Sequence, residues 1–285
     1  MRIEVKDVSK KYKNDVVLNR VSFTLEEPKI YGLLGRNGAG KTTFMDILSG
    51  QILASSGEIT IDGENPFDNQ RLTESICLIK EGNNFKKELK IRDVLRIYSI
   101  FYPTWDQDLA IDLVKVFHLK ISAKVKALSK GMESALGIIV GLASKAPITI
   151  FDEPYIGLDA AVRQKFYEIL VEEYEKQPRT IIFSTHLIDE VSLLFEEVLI
   201  LKEGKLVLKE EAEVLRNHTY AVTGNAKEIE AFIKDKEVMS MKQLGRMMVA
   251  YVYGNAEQAR LQGLSVEGIP IQDLMIYLTE GRREA

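Results

Sequence analysis

Gly35-Arg36-Asn37-Gly38-Ala39-Gly40-Lys41-Thr42 fits G-x-x-x-x-G-K-T, the spacing of a phosphate-binding loop. Its glycines let the backbone curl until successive N–H groups face one anion. Lys41 would reach the outer phosphates, the Thr42 hydroxyl would ligate Mg²⁺, and Thr43 can touch the α-phosphate. The candidate phosphate set is therefore Gly35, Arg36, Asn37, Gly38, Ala39, Gly40, Lys41, Thr42 and Thr43. Two carboxylates, Asp152 and Glu153, close an apolar run, and His186 closes another. Together these groups suit phosphoryl transfer to water. Asp152 would hold Mg²⁺ through water, Glu153 would orient and deprotonate the attacking water, and His186 would hydrogen-bond the γ-phosphate. Lys41, Glu153 and His186 are thus the candidate catalytic residues. Tyr12, read as lying in a polar turn, can stack on a purine face, although an exposed turn tyrosine is the plainer reading.

These residues need elements to hold them. The run Ile30 to Leu34 reads as a buried strand, and a helix from about Lys41 would aim its N-terminus, with its partial positive charge, at the phosphates. The runs ending at Asp152 and His186 read as further buried strands. Three polar strand ends in one chain predict a doubly wound, mostly parallel sheet with its site at the carboxyl ends. Residues 2–8 and 16–25 read as strands ahead of the phosphate loop, as do 58–63 and 76–79 after it. Residues 85–127 read as helical: Ile91, Val94, Leu95, Tyr98 and Phe101 share a face that stops at Pro103, and Asp106 is placed to cap a second helix with Leu109, Leu113, Val116 and Phe117 on one face. This block, about 82–143 with the helix after Met132, interrupts the α/β alternation as an inserted subdomain. Strands are expected at 198–202 and 205–208. Residues 216–285 change character: a strand at 219–223, a helix capped by Asn225, a methionine-rich hairpin at 238–253 and a final helix at 271–279. The expected division is a domain of residues 1–215 and a small accessory domain of residues 216–285.

Composition narrows the class. The chain has 285 residues, a net charge of −4 and one cysteine. The charge leaves no electrostatic footprint for nucleic acid. Cys77, in an apolar context, reads as a small core residue. No window is long and apolar enough to span a bilayer, and the first residues lack a signal-peptide pattern, so the expectation is a cytoplasmic chain that reaches a membrane only through partners.

With these motifs in order, residues 1–210 resemble the nucleotide-binding subunit of an ATP-binding cassette (ABC) transporter. The resemblance rests on the phosphate loop, Leu128-Ser129-Lys130-Gly131-Met132 as the signature, Asp152-Glu153-Pro154, Gly157-Leu158-Asp159 as the D-loop, and His186 as the switch histidine. It implies ATP and Mg²⁺ as ligands, with Tyr12 stacking on adenine. Ser129 and the Gly131 backbone would bind the γ-phosphate held by a second ATPase subunit, identical or related, in a head-to-tail sandwich. It also implies a separate transmembrane subunit at the cytoplasmic face, pressed by the helical insert. Three departures stand out. Lys130 and Met132 replace residues of the usual L-S-G-G-Q signature, Glu81 stands where the family has a glutamine that ligates Mg²⁺, and Pro28-Lys29 replaces a glycine turn. They resemble a bacterial subgroup of peptide and antibiotic exporters. The alternatives are a non-transport ABC-type ATPase acting on ribosomes or DNA, and a regulatory cassette with weak hydrolysis.

Overall fold

The computed structural model describes residues 1–261 and 263–279; Gln262 and residues 280–285 of the expected accessory segment lie outside the described residues. β1 (Ile3–Tyr12) and β2 (Asp15–Leu25) pair antiparallel, and Tyr12 ends β1 opposite Asp15 instead of lying in the turn. The strand runs further than expected because the tight turn at residues 13–14 needs only Lys13 in the left-handed region. β3 (Ile30–Leu34) is buried along its whole length and feeds the phosphate loop. α1 (Lys41–Leu48) follows, then β4 (Ser56–Ile61), which pairs with β1 to complete a three-stranded sheet in the order β2-β1-β4. α2 (Gln70–Thr73), not anticipated, is one turn capped by Asn69, whose side chain accepts the Leu72 N–H. β5 (Ile76–Ile79) carries the buried Cys77.

The insert holds α3 (Ile91–Phe101) and α4 (Gln107–Val116). Asp106 caps α4 by accepting the Leu109 N–H, and α3 ends two residues before Pro103. Residues 85–90 are not helical, and Phe101 and Val116, expected on the buried faces, are exposed. α5 (Lys130–Ala143) is capped by Ser129, and just past its C-cap Ser144 the chain turns at Lys145, a non-glycine residue in the left-handed region. Its Gly137 and Gly141 let it lie close against Ile79 and Phe151.

β6 (Ile148–Asp152), α6 (Ala160–Lys176), β7 (Thr180–Ser184), the single-turn α7 (Ile188–Val191), β8 (Glu197–Lys202) and β9 (Lys205–Glu211) complete the core. The six-stranded sheet runs β5-β6-β7-β3-β8-β9, parallel except for β9. One apolar cluster fills its side toward α5 and α6, and another fills the side toward α1 and the antiparallel sheet.

α8 (Ala212–His218) leads to β10 (Thr219–Asn225), α9 (Ala226–Phe232), β11 (Glu237–Leu244), β12 (Met247–Tyr253), α10 (Glu257–Leu261), β13 (Ser265–Gly268) and α11 (Ile271–Thr279). The sheet order β11-β12-β10-β13 makes this a β-α-β-β-α-β unit of the split type, with its own small core. α8, α10 and β13 were not anticipated. α11 packs against both units: Ile271 and Leu274 join the core beside α5 and α6, Gln272 donates to Asp189 at 2.6 Å, and Tyr277 stacks on Tyr251 of β12.

Candidate nucleotide site

The site lies where β3, β6 and β7 end, as the sheet topology requires. Parallel pairing brings Asp152 opposite Ser184 and places the phosphate loop beside both. A cavity of about 330 Å³ opens there, bounded by the loop from Asn37 to Thr43 and by Val17, Glu81, Asp152 and Glu153. Val17 escaped notice in the sequence because an apolar strand residue carries no chemical signal. Gly38 and Gly40 have φ of 82° and 100°, which only glycine adopts cheaply, and a Cβ on Gly40 would strike Leu18 and the Val17 carbonyl.

Lys41 is only 8% exposed. Its ammonium donates to the carbonyls of Gly35 at 2.7 Å and Arg36 at 3.4 Å. Burial pushes its pKa down, against the pull of Glu153 and Asp152. The Thr42 hydroxyl donates to Asp152 Oδ2 at 2.6 Å. That hydroxyl, one buried carboxylate and substrate phosphates suit Mg²⁺, which keeps several waters and takes few protein ligands. Among the described residues no three His, Cys, Asp or Glu side chains gather to hold a metal. Glu81 lines the cavity, but its carboxylate accepts a hydrogen bond from the Lys130 ammonium at 3.0 Å, so two of the three departures from the family pattern face each other.

Glu153 has φ of 51°, an uncommon conformation for a glutamate, held by its N–H on the Ser184 carbonyl. Its Oε2 lies 2.7 Å from His186 Nδ1 and also accepts the Tyr155 hydroxyl. Tyr155 was passed over in the sequence, where it reads as one more apolar residue after Pro154. Burial, and then its bond to Glu153, push the Tyr155 phenol well above its usual pKa.

Ser129 and Gly131 are not in this cavity. Ser129 Oγ accepts the Met132 N–H at the exposed start of α5. A Cβ on Gly131 would stand 2.3 Å from the Gly157 carbonyl oxygen, so backbone contact between signature and D-loop already demands glycine there. Tyr12 is 46% exposed, with the Lys10 ammonium 5.0 Å from its ring centre.

A family model described as ABC transporter matches residues 18–156. SrtF, a lantibiotic transport ATP-binding protein of Streptococcus pyogenes, is 32% identical over 193 residues, 67% of this chain and 83% of that protein. YtrB, an ABC transporter ATP-binding protein of Bacillus subtilis, is 29% identical over 66% of this chain, which spans 65% of YtrB, just under two-thirds of its length. A solved ATP-binding subunit of an ABC transporter superposes with a TM-score of 0.68 at 27% identity, covering 76% of this chain and 92% of its own. A dimeric cassette in a post-hydrolysis state with ADP and Pi shares the fold, with a TM-score of 0.66 at 24% identity over 74% of this chain and 98% of its own. The chain belongs to the ABC transporter ATP-binding family, whose cassettes are ATPases.

Proposed function

We propose that this chain is the ATP-hydrolysing subunit of a bacterial exporter of peptides or antibiotics, working with a separate transmembrane subunit at the cytoplasmic face. The carrying observation is the meeting of Lys41, Thr42, Asp152, Glu153 and His186 at the ends of three parallel strands. Lys41 and the loop from Gly35 to Thr43 bind the phosphates through its ammonium and the backbone N–H groups. Thr42 would hold Mg²⁺ directly and Asp152 through water, with Glu81, one oxygen of which accepts from Lys130, as a further candidate ligand in the same cavity; when bound, Mg²⁺ would neutralise charge developing on the phosphates. Tyr12 stacks on adenine. Glu153 takes a proton from water as the water oxygen attacks the γ-phosphorus. The bond to the β–γ bridging oxygen breaks, leaving ADP and phosphate, and the proton passes from Glu153 to solvent or product. His186, with Nδ1 facing Glu153, hydrogen-bonds the γ-phosphate by donating from Nε2 as an imidazolium.

Ser129 and the Gly131 backbone serve the partner cassette's nucleotide, which is why they stand outside their own chain's cavity. Residues 1–215 form the ATPase domain and 216–285 an accessory domain. Among the described residues no helix is long and apolar enough to cross a membrane. Exposed Ile97, Ile100 and Phe101 on α3 offer the membrane subunit an apolar foothold. The exporter reading draws on the names of relatives: a lantibiotic transport protein and a Nod factor export protein of Burkholderia orbicola.

The test is Glu153→Gln. Turnover should fall ~10²–10⁴-fold, the usual contribution of a positioned base. ATP binding should persist, and the purified variant should shift from monomer to dimer on a sizing column with Mg-ATP. Normal hydrolysis by this variant would overturn the base assignment.

A further inference from the structure

We infer that Tyr155 is a positioning residue that locks Glu153 and His186 into one unit; this rests on the hydrolytic reading above. The hydroxyl is fully used. It donates to Glu153 Oε2 and accepts the His186 backbone N–H at 3.0 Å. Its second lone pair faces Thr185 Oγ1 at 2.7 Å. Thr185 in turn accepts the Leu187 N–H at 2.8 Å, so its own hydrogen is free to point at Tyr155. One donor and two acceptor positions are all a phenol has.

The consequence falls on the carboxylate. An ionised carboxylate only accepts, which assigns the proton between Glu153 and His186 to Nδ1. Oε2 then receives two donors, Tyr155 Oη and His186 Nδ1. No described residue donates to Oε1, which leaves it as the oxygen for the attacking water. The tyrosine ring is held as firmly as its hydroxyl: it is buried and stacks on Phe183, at 6.4 Å between ring centres and 14° between planes. Tyr155 thus ties the end of β6 to the residues that follow β7. Tyr155 does not itself line the cavity and reaches it through its bond to Glu153, so it acts through Glu153 and not on the nucleotide.

The experiment compares Tyr155→Phe, Glu153→Gln and the double variant in the full chain, by steady-state hydrolysis and nucleotide titration. Phenylalanine keeps the ring packing and removes only the hydroxyl. The expected result is a kcat at least tenfold lower in Tyr155→Phe with ATP affinity within twofold of the parent. The double variant should hydrolyse within twofold of Glu153→Gln alone, because residues acting as one unit are not additive. If Glu153→Gln is inactive while Tyr155→Phe keeps full kcat, the inference fails and the functional reading stands. A Tyr155→Phe loss that adds in full to that of Glu153→Gln would mark a merely structural role and also overturn it. If Glu153→Gln itself turns over normally, the functional reading fails and takes this inference with it. Should Tyr155→Phe melt too low to assay, Thr185→Val removes the hydrogen bond behind the phenol and should lower kcat in the same direction, by less; an unchanged kcat there would count against the lock.

Discussion

Lys41 shows how a residue can be built for something outside the chain. Its ammonium is buried, yet its hydrogen bonds go to two loop carbonyls and not to a carboxylate. A buried cation without a bonded counter-charge is costly, and its depressed pKa records that cost. A phosphate entering the loop supplies the missing charge. Replacing Lys41 with alanine removes charge-assisted bonds of about 1.5–3 kcal/mol. Nucleotide affinity should fall roughly 10–100-fold. Titration with a fluorescent ATP analogue measures this, and an unchanged Kd would mean that the backbone amides alone hold the phosphates.

At the scale of elements, α5 carries much of the architecture around the site. Its first turn lies against the D-loop backbone through Gly131 and Gly157, and its glycines press it onto β5 and β6. Its far end is fixed by Lys145, whose buried ammonium meets Glu173 on α6. Burial pushes the Glu173 carboxyl up, but the hydrogen bonds and charges of Lys145 and Lys176 overcome this and hold it below its usual pKa. A carboxyl depressed on folding stabilises fully above its unfolded pKa, about 4.3, and this contribution is lost as pH falls through the lower folded value. Glu173→Gln strands Lys145 as an uncompensated buried charge, a cost of about 3–5 kcal/mol at neutral pH. The melting temperature at pH 7 should drop by several degrees, and the gap from the parent should narrow on acidification. Equal melting curves at pH 7 would show the pair to be unimportant. By contrast Glu81 and Lys130 are both more than half exposed, and such pairs are worth at most about 1 kcal/mol. Their meeting matters for where it lies, joining the cavity wall to the signature turn.

In the whole molecule Ser129 and Gly131 of the signature stand outside the chain's own phosphate cavity. Ser129 is exposed at the start of α5, which suits a phosphate supplied by another cassette. Ser129→Arg should therefore bind ATP normally, since it lies outside the cavity, but fail to form the ATP-induced dimer in the Glu153→Gln background. Light scattering with and without Mg-ATP reads this directly. A dimer that forms as before would remove the sandwich from consideration. The C-terminal unit reaches the same region: α11 rests on α7, just after His186, Lys202 donates to the Leu278 carbonyl, and Lys202 and Thr279 line a cavity with Arg36 to Ala39 of the phosphate loop.

Much of this was legible in the residues themselves. Loop glycines, apolar runs ending in charge, and capping residues such as Asp106 act over a few positions, so phosphate loop, strand ends and helix starts could be read directly. Periodicity was a poorer guide at the insert, where Phe101 and Val116 fit an apolar face but lie exposed on it. Short elements such as α2, α10 and β13 left too few residues to show a period. What only the tertiary structure decided were contacts between distant segments. No spacing announces that a tyrosine after Pro154 meets a histidine two residues past the end of β7, or that Glu81 and Lys130 pair across the insert. Nor does it announce that Gly131 is glycine because another backbone lies against it. Local chemistry is written along the chain; which side chains share a few ångströms depends on how sheet and helices pack, and packing is a property of the whole fold.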